Sequence, residues 1–310
     1  MRVIRDSEFV SETDRGAAAA IGNFDGVHLG HRAVLDIARD HASRLDAPLG
    51  VLTFEPHPRE HFAPDAAPFR LMNAAARAHR LSRLGVDKLY ELPFTAALAA
   101  LTAEEFAADI VARRLGLVHV VVGEDFRYGA GRTGDACTLR AAGDAHGFGT
   151  TIVPLIDLDT GEVSSTAIRT ALSDGRPGDA ARMLGHHHRI DGPVIRGDQR
   201  GRDLGYPTAN QSIAGLHPPR FGVYAVRVDV LTGPHAGRYD GAASIGTRPQ
   251  FGKNAANCET FLFDFSGDLY GEELSVALVD FLRPEAKFAS VDALIAQMAD
   301  DCARARAILA

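Results

Sequence analysis

Two histidines, His28 and His31, stand in the segment Gly22-Asn-Phe-Asp-Gly-Val-His-Leu-Gly-His31. An apolar run precedes it and an amphipathic run follows, so it reads as a loop entering a helix. Residues three apart share a helix face. In the first turn they lie beside backbone N–H groups that have no intrahelical partner, where anions bind well. Two imidazoles there can donate hydrogen bonds to a phosphate whose charge grows in a transition state. Gly22, Gly26 and Gly30 leave room for a nucleotide to approach the backbone. A metal pair or two surface histidines are the competing readings, and the strand–loop–helix setting favours the phosphate.

Other segments offer complementary chemistry. Phe54-Glu-Pro-His-Pro-Arg59 has two prolines, Pro56 and Pro58, which predict an extended, rigid loop. Phe54 and Phe62 can face a planar ring there. Val121-Val-Gly-Glu-Asp-Phe-Arg-Tyr-Gly129 follows another apolar run. Ser164, Ser165, Thr166 and Arg169 put three hydroxyls and a guanidinium at a helix start, a reasonable clamp for a triphosphate. Alone, each also reads as a turn, a strand end or a helix cap. Gly129-Ala-Gly-Arg-Thr-Gly134 matches GxGxxG but begins several residues after its strand, and a glycine-rich turn explains it better than a dinucleotide loop. The Gly-Lys pair, Gly252-Lys253, is followed by Asn254, which argues against a Walker phosphate loop. His186-His-His188 is a consecutive run whose side chains diverge, so a metal site is a weak reading.

These residues need positioning elements, and the apolar pattern supplies them. In the first half, 17–21, 49–54, 88–92, 118–122 and 151–156 read as buried strands. Helical patterns over 30–45, 74–84, 102–115 and 138–146 alternate with them. Thr102-Ala-Glu-Glu105 is a capping box. Alternation of continuous apolar strands with helices implies a parallel sheet covered on both faces, with ligands beyond the carboxyl ends of its strands. After Leu184 the pattern changes to about six runs rich in Val, Ile, Tyr and Phe, separated by Gly, Pro, Asp and Asn. That predicts a small antiparallel barrel. Ser290 then caps a final helix to Leu309. The expected domains are 1–185 and 186–310.

Composition narrows the function classes. The chain has 310 residues, 46% hydrophobic and 24% charged, with a formal charge of −7. This is ordinary for a globular protein of about two domains. Acidic residues outnumber basic ones in both halves, which speaks against a nucleic-acid partner. No run of 18 apolar residues marks a membrane span, and the first 14 residues do not resemble a signal peptide. Cys137, Cys258 and Cys302 are few and widely spaced, as expected of reduced, cytoplasmic thiols.

The His-Leu-Gly-His segment is the HxGH signature of adenylyl-transferring enzymes and resembles the nucleotidyltransferase superfamily. The order and spacing of the other segments resemble the bifunctional bacterial FAD synthetase family. Its kinase half is carried by Gly197-Asp-Gln-Arg-Gly-Arg-Asp-Leu-Gly-Tyr-Pro-Thr-Ala-Asn210, which is similar to GxxxGRxLGxPTAN. The resemblance runs from about Ile21 to Ala289. It implies a Rossmann-like nucleotidyltransferase domain, then a six-stranded antiparallel barrel with a C-terminal helix. It implies riboflavin, FMN, FAD and ATP as ligands, with Mg²⁺ in both steps.

By the resemblance, His28 and His31 stabilise phosphate, while Asn23, Gly30, Ser164, Ser165, Thr166 and Arg169 hold the nucleotide. Phe54, Pro56, Pro58, Phe62, Phe126 and Tyr128 form the flavin side. In the barrel, Gly197, Gly201, Arg202 and Gly205 cover ATP, Thr208 and Asn210 hold Mg²⁺, and Glu259 is the base. Arg283 contacts flavin or organises that site. Three positions depart from the family pattern: Ser244 for the usual Asn, Gln250 for a common Thr, and Cys258 for an apolar residue. A nucleotidyltransferase for another small phosphate ester would explain HxGH but not the barrel. A flavin-binding regulator with decayed sites conflicts with the intact His28, His31, Thr208, Asn210 and Glu259. The oligomeric state, a homo-oligomer included, is left open.

Overall fold

The computed structural model describes residues 1–310 apart from 7, 9, 156, 159–160, 198–200, 202–203 and 248–255, and describes 157–158 and 161–162 by backbone alone. Two compact units divide the chain, Met1–Ala66 with Ala74–Val163, and Ala67–Asn73 with Ser164–Ala310.

In the first unit the strands are β1 (Arg2–Ile4), β2 (Ala18–Ile21), β3 (Leu49–Glu55), β4 (Lys88–Pro93), β5 (His119–Gly123), β6 (Arg127–Tyr128), β7 (Gly134–Asp135), β8 (Gly149–Val153), β9 (Asp157–Leu158) and β10 (Gly161–Glu162). Its helices are α1 (Leu29–Leu45), α2 (Pro58–Phe62), α3 (Ala74–Arg83), α4 (Ala96–Ala100), α5 (Ala103–Glu105) and α6 (Ala136–His146). The sheet is parallel throughout, in the order β1-β4-β3-β2-β5-β8. Its central strands are buried on both faces, which is why they read as unbroken apolar runs. Small residues let the middle close up. A Cβ at Gly50 would lie 2.9 Å from Ala17 Cβ and 3.0 Å from Ala19 Cβ. Strand order reverses between β2 and β5, so a crevice opens at their carboxyl ends. The Gly22–His31 segment leaves β2 at that point.

Three local features differ from the sequence reading. A short edge strand, β1, pairs with β4 although its charged flanks hide it. The loop after β3 is not extended throughout: Pro58 starts helix α2, because the first helical position needs no N–H. His57 Nδ1 accepts from the Arg59 N–H at 3.0 Å, and Glu60 accepts from the His57 N–H at 3.1 Å, closing a capping box. The helix from Thr102 has its capping box, but most of it, Phe106–Arg114, is wound as a π-helix.

The second unit comprises α7 (Ser165–Ser173), α8 (Pro177–Leu184), β11 (Arg189–Pro193), β12 (Ala209–Ser212), β13 (Gly222–Val230), β14 (Gly237–Thr247), β15 (Ala256–Leu262), β16 (Glu273–Pro284) and α9 (Val291–Leu309). The strands run antiparallel in the order β11-β16-β13-β14-β15-β12. Its two edges nearly meet. Ile195 bridges Asn210, and the fully buried Gln211 donates to the carbonyls of Gly192 at 2.8 Å and Leu274 at 3.0 Å. Ile190, Val226, Val228, Ile245, Cys258, Leu262, Val276 and Leu278 fill the interior. Helix α9, capped by Ser290 as expected, lies on the outside against Ala225, Ala242, Phe263 and Leu282.

The histidine run leads into β11. His188 is 2% exposed, and burial, with His186 and His217 nearby, lowers its pKa to about 3. The folded state therefore refuses a proton that the unfolded chain takes near 6.5. The associated stability is present above 6.5 and is lost as pH falls toward 3. Urea midpoints measured across this range are expected to fall more steeply for the native protein than for His188→Leu.

Candidate functional site

At the end of β2 the chain makes an unusual turn. Phe24 and Val27 have φ of 52° and 45°, and Gly26 has 85°. Left-handed backbone at a β-branched residue is costly, of order 1–3 kcal/mol, and persists only where the surroundings enforce it. The turn delivers His28 to the N-cap of α1, where its Nδ1 accepts from the His31 N–H at 3.3 Å. An acceptor Nδ1 leaves the proton of the neutral ring on Nε2 as a donor. The His28 and His31 rings stack at 3.7 Å, and Phe24 lies 4.8 Å beyond His31. The two imidazoles thus share one helix face, as their spacing predicts. Gly30 suits this arrangement: a Cβ there would come within 3.1 Å of the His28 ring, which would have to give by a few tenths of an ångström. The clearance beside Gly30 is therefore filled by the histidine itself.

His31 Nδ1 is buried with no hydrogen-bond partner among the described residues. Burial first, and His28 second, hold its pKa well below 6.5. The ring is neutral at neutral pH, and a bound anion nearby would favour its charged form. The exposed Asn23 lies three residues before Gly26, and its backbone carbonyl accepts from Thr53 Oγ1 at 3.1 Å and Arg77 Nη1 at 3.3 Å.

The aromatic residues of the expected flavin side gather in the same unit. Phe54 packs edge-on to Phe94 at 5.6 Å, and Phe62 does the same at 5.7 Å. Phe126 stacks on Tyr128 at 5.5 Å, and Phe106 joins Tyr128 to Phe54. Phe94 and Phe106, which the sequence reading did not single out, are the links. Phe62 is 69% exposed, while burial raises the Tyr128 pKa. Pro56 is exposed and follows a cis peptide bond, and Pro58 opens α2. The GxGxxG segment is a turn between β6 and β7. Gly129 and Gly134 serve packing, since a Cβ at Gly134 would lie 2.6 Å from the Tyr128 ring and one at Gly129 would lie 2.6 Å from the Ala103 backbone.

In the second unit Ser164 caps α7, accepting from the Ala167 N–H at 3.2 Å, with Ser165 and the exposed Thr166 in the first turn. Arg169 donates through Nε to the Phe69 carbonyl at 2.6 Å and lies over the Phe69 ring.

The barrel brings a second set together. Asn210 on β12 is paired in register with Glu259 on β15, which is paired with Ser244 on β14. Directly opposed residues project from the same face. Buried Asn210, half-buried Glu259 and exposed Ser244 therefore form one row across three strands. Asn210 Nδ2 donates to the Thr208 carbonyl at 3.2 Å, fixing which end of the amide is the oxygen. Asn257, 5% exposed, donates to Glu259 Oε1 at 3.1 Å and approaches Asn210 Oδ1 at 3.5 Å. The period of two in a strand was the signal for Asn257, two residues before the expected base.

The glycine-rich loop touches this row. A Cβ at Gly197 would lie 2.6 Å from the Asn210 side chain, and one at Gly201 would lie 3.7 Å from Thr208 Oγ1. Gly201 also accepts from the Tyr206 N–H at 2.8 Å, and Gly205 has φ of 86°. Arg202 and Gln250 lie outside the described residues. Cys258 points into the barrel, where burial pushes its thiol up to about 12. Arg283 forms a three-bond ion pair with the buried Asp301 of α9, at 2.7–3.0 Å.

Comparison with known proteins gives two family matches, FAD synthetase over residues 10–167 and riboflavin kinase over 184–309. The bifunctional riboflavin kinase/FMN adenylyltransferase of Pseudomonas fluorescens is 41% identical over 311 residues, covering 100% of this chain and 98% of its own. The protein of that description from Escherichia coli K12 is 40% identical, covering 99% and 97%. A crystal structure described as a macrolide-efflux protein from Streptococcus pneumoniae matches with a TM-score of 0.83 and 33% identity, over 97% of this chain and 96% of that one. Among the described residues of this chain no helix is long and apolar enough to cross a membrane.

Proposed function

The chain belongs to the bifunctional riboflavin kinase/FMN adenylyltransferase family, and from that premise we propose that it builds FAD from riboflavin in two ATP-dependent steps. Residues 186–310 transfer the γ-phosphoryl group of ATP to the riboflavin 5′-hydroxyl, giving FMN and ADP. Residues 1–185 let the FMN phosphate attack the ATP α-phosphate, giving FAD and pyrophosphate. The free thiols Cys137, Cys258 and Cys302 suit a cytoplasmic setting.

In the adenylyl step no protein nucleophile is needed. His28 donates through Nε2, and the neutral His31 gains affinity for a proton as negative charge builds beside it. Asn23 is the first unit's further contact to the nucleotide, and Ser164, Ser165, Thr166 and Arg169 form a phosphate clamp on the second unit. The isoalloxazine ring is taken by Phe54, Phe62, Phe126 and Tyr128, with Pro56 and Pro58 shaping the edge.

In the kinase step Glu259 accepts the proton of the attacking hydroxyl and aligns it with the γ-phosphorus. The row Asn210–Glu259 supports this reading, because register pairs the carboxylate with Asn210, whose side chain lies against Gly197. Thr208 and Asn210 are neutral oxygen donors held against that loop, and such donors fit Mg²⁺ that keeps phosphates and waters in its shell. When bound, Mg²⁺ offsets the charge of the ATP phosphate oxygens. Gly197, Gly201, Arg202 and Gly205 cover the phosphates. Arg283, tied to Asp301 of α9, contacts flavin or organises that site.

The test is to incubate the protein with riboflavin, ATP and Mg²⁺ and separate the flavins by chromatography. FMN and then FAD are expected. Tight flavin binding with no new species would favour a regulator, and FMN without FAD would leave the first unit acting on another phosphate ester.

A further inference from the structure

The loop that carries His28 is held by a residue that belongs to neither set of candidate ligands. Arg77 sits on α3 and is 3% exposed. Its Nη1 donates to the Asn23 carbonyl at 3.3 Å. Its Nη2 donates to Glu55 Oε2 and Glu91 Oε2, each at 3.0 Å, and reaches the Phe54 carbonyl at 3.5 Å. Glu91 is buried and also accepts from Arg5 at 2.9 Å. Two arginines therefore meet two carboxylates. It lies at the carboxyl ends of β3 and β4 and at the loop leaving β2.

We propose that Arg77 is a positioning residue for adenylyl transfer, fixing the loop before His28 and the Phe54–Glu55 backbone relative to one another. The inference rests on the assignment of His28 and Phe54 to that step. The strained turn at Phe24–Val27 supplies the physical reason: left-handed backbone of this kind relaxes unless neighbouring groups hold it. Arg77 and Thr53 both grip the Asn23 carbonyl at the entry to the turn. A planar guanidinium has the span and the donors to reach two loops and two carboxylates together, and an ammonium does not. Arg77 touches no reacting atom in this scheme. It keeps the phosphate-binding imidazoles in register with the flavin-binding aromatics.

A structural role and a positioning role are separable. Arg77→Met alone leaves the buried Glu91 with the exposed Arg5 in place of its buried partner and is expected to destabilise the unit. The double variant Arg77→Met with Glu91→Leu removes both charges and is expected to restore the thermal midpoint. In it, kcat/KM for FMN adenylylation is expected to fall about 10²-fold, through both kcat and KM, as for a small misplacement of aligned groups. Arg77→Lys is expected to fall about 10-fold, since it keeps the charge but loses the span. Riboflavin phosphorylation by the same preparations is the internal control and should not change. A double variant with native midpoint and native adenylylation overturns the proposal. If that variant does not fold, native kcat/KM in Arg77→Lys overturns it instead. His28→Ala with undiminished FAD formation would defeat the underlying assignment, a result distinguishable from either of these.

Discussion

Glu259→Gln is expected to slow riboflavin phosphorylation by about 10²–10⁴-fold while FMN adenylylation proceeds at its native rate. The substitution keeps shape and removes the basic oxygen. Glu259 Oε1 accepts from Asn257 at 3.1 Å, which orients the carboxylate whose oxygen takes the proton. In the glutamine variant that oxygen becomes either a carbonyl oxygen of low basicity or an NH₂ group that cannot accept a proton. Substrate binding needs only the shape, so the loss should appear mainly in kcat. The measurement is the rate of FMN formation from riboflavin, with FAD formation from supplied FMN as the control. A native FMN yield would remove Glu259 as the base and leave the row across β12, β15 and β14 without a catalytic role. Loss of both activities together would mean that the variant had unfolded.

The sequence discloses those parts of the protein whose signals are local. The Thr102 and Ser290 caps, the apolar strands and the spacing of His28 and His31 each depend on residues within a turn or two, and the structure agrees with them. The Pro58 helix was missed for an equally local reason, because a proline that starts a helix and one that stiffens a loop look alike without the cap at His57. Other residues were hidden by distance. Arg77 reads as one more arginine on an amphipathic helix; its partners Glu91, Glu55 and Asn23 stand 14, 22 and 54 positions away and meet it only once the sheet forms. Phe94 and Phe106 join the aromatic group through tertiary contact alone. Asn257 is a local case by contrast, two positions before Glu259 on the same strand and on the same face, so the period of two points to it.

His28→Ala is expected to lower FAD formation by about 10²–10³-fold, the effect of removing one preorganised donor from a developing anion. The variant has a second consequence that must be separated from the first. His28 is also the N-cap of α1, accepting from the His31 N–H, and loss of a cap costs about 0.5–2 kcal/mol of stability. His28→Ser distinguishes the two. Serine caps well, but its hydroxyl does not extend to the position of the imidazole Nε2. The serine variant is therefore expected to keep the urea midpoint of the native protein and still lose FAD formation to a similar degree. Alanine should lose both. Neither change should alter riboflavin phosphorylation, which the barrel performs with its own residues. Should the serine variant make FAD at the native rate, His28 would be a cap and nothing more, and the charge on the phosphate would have to be met by other groups.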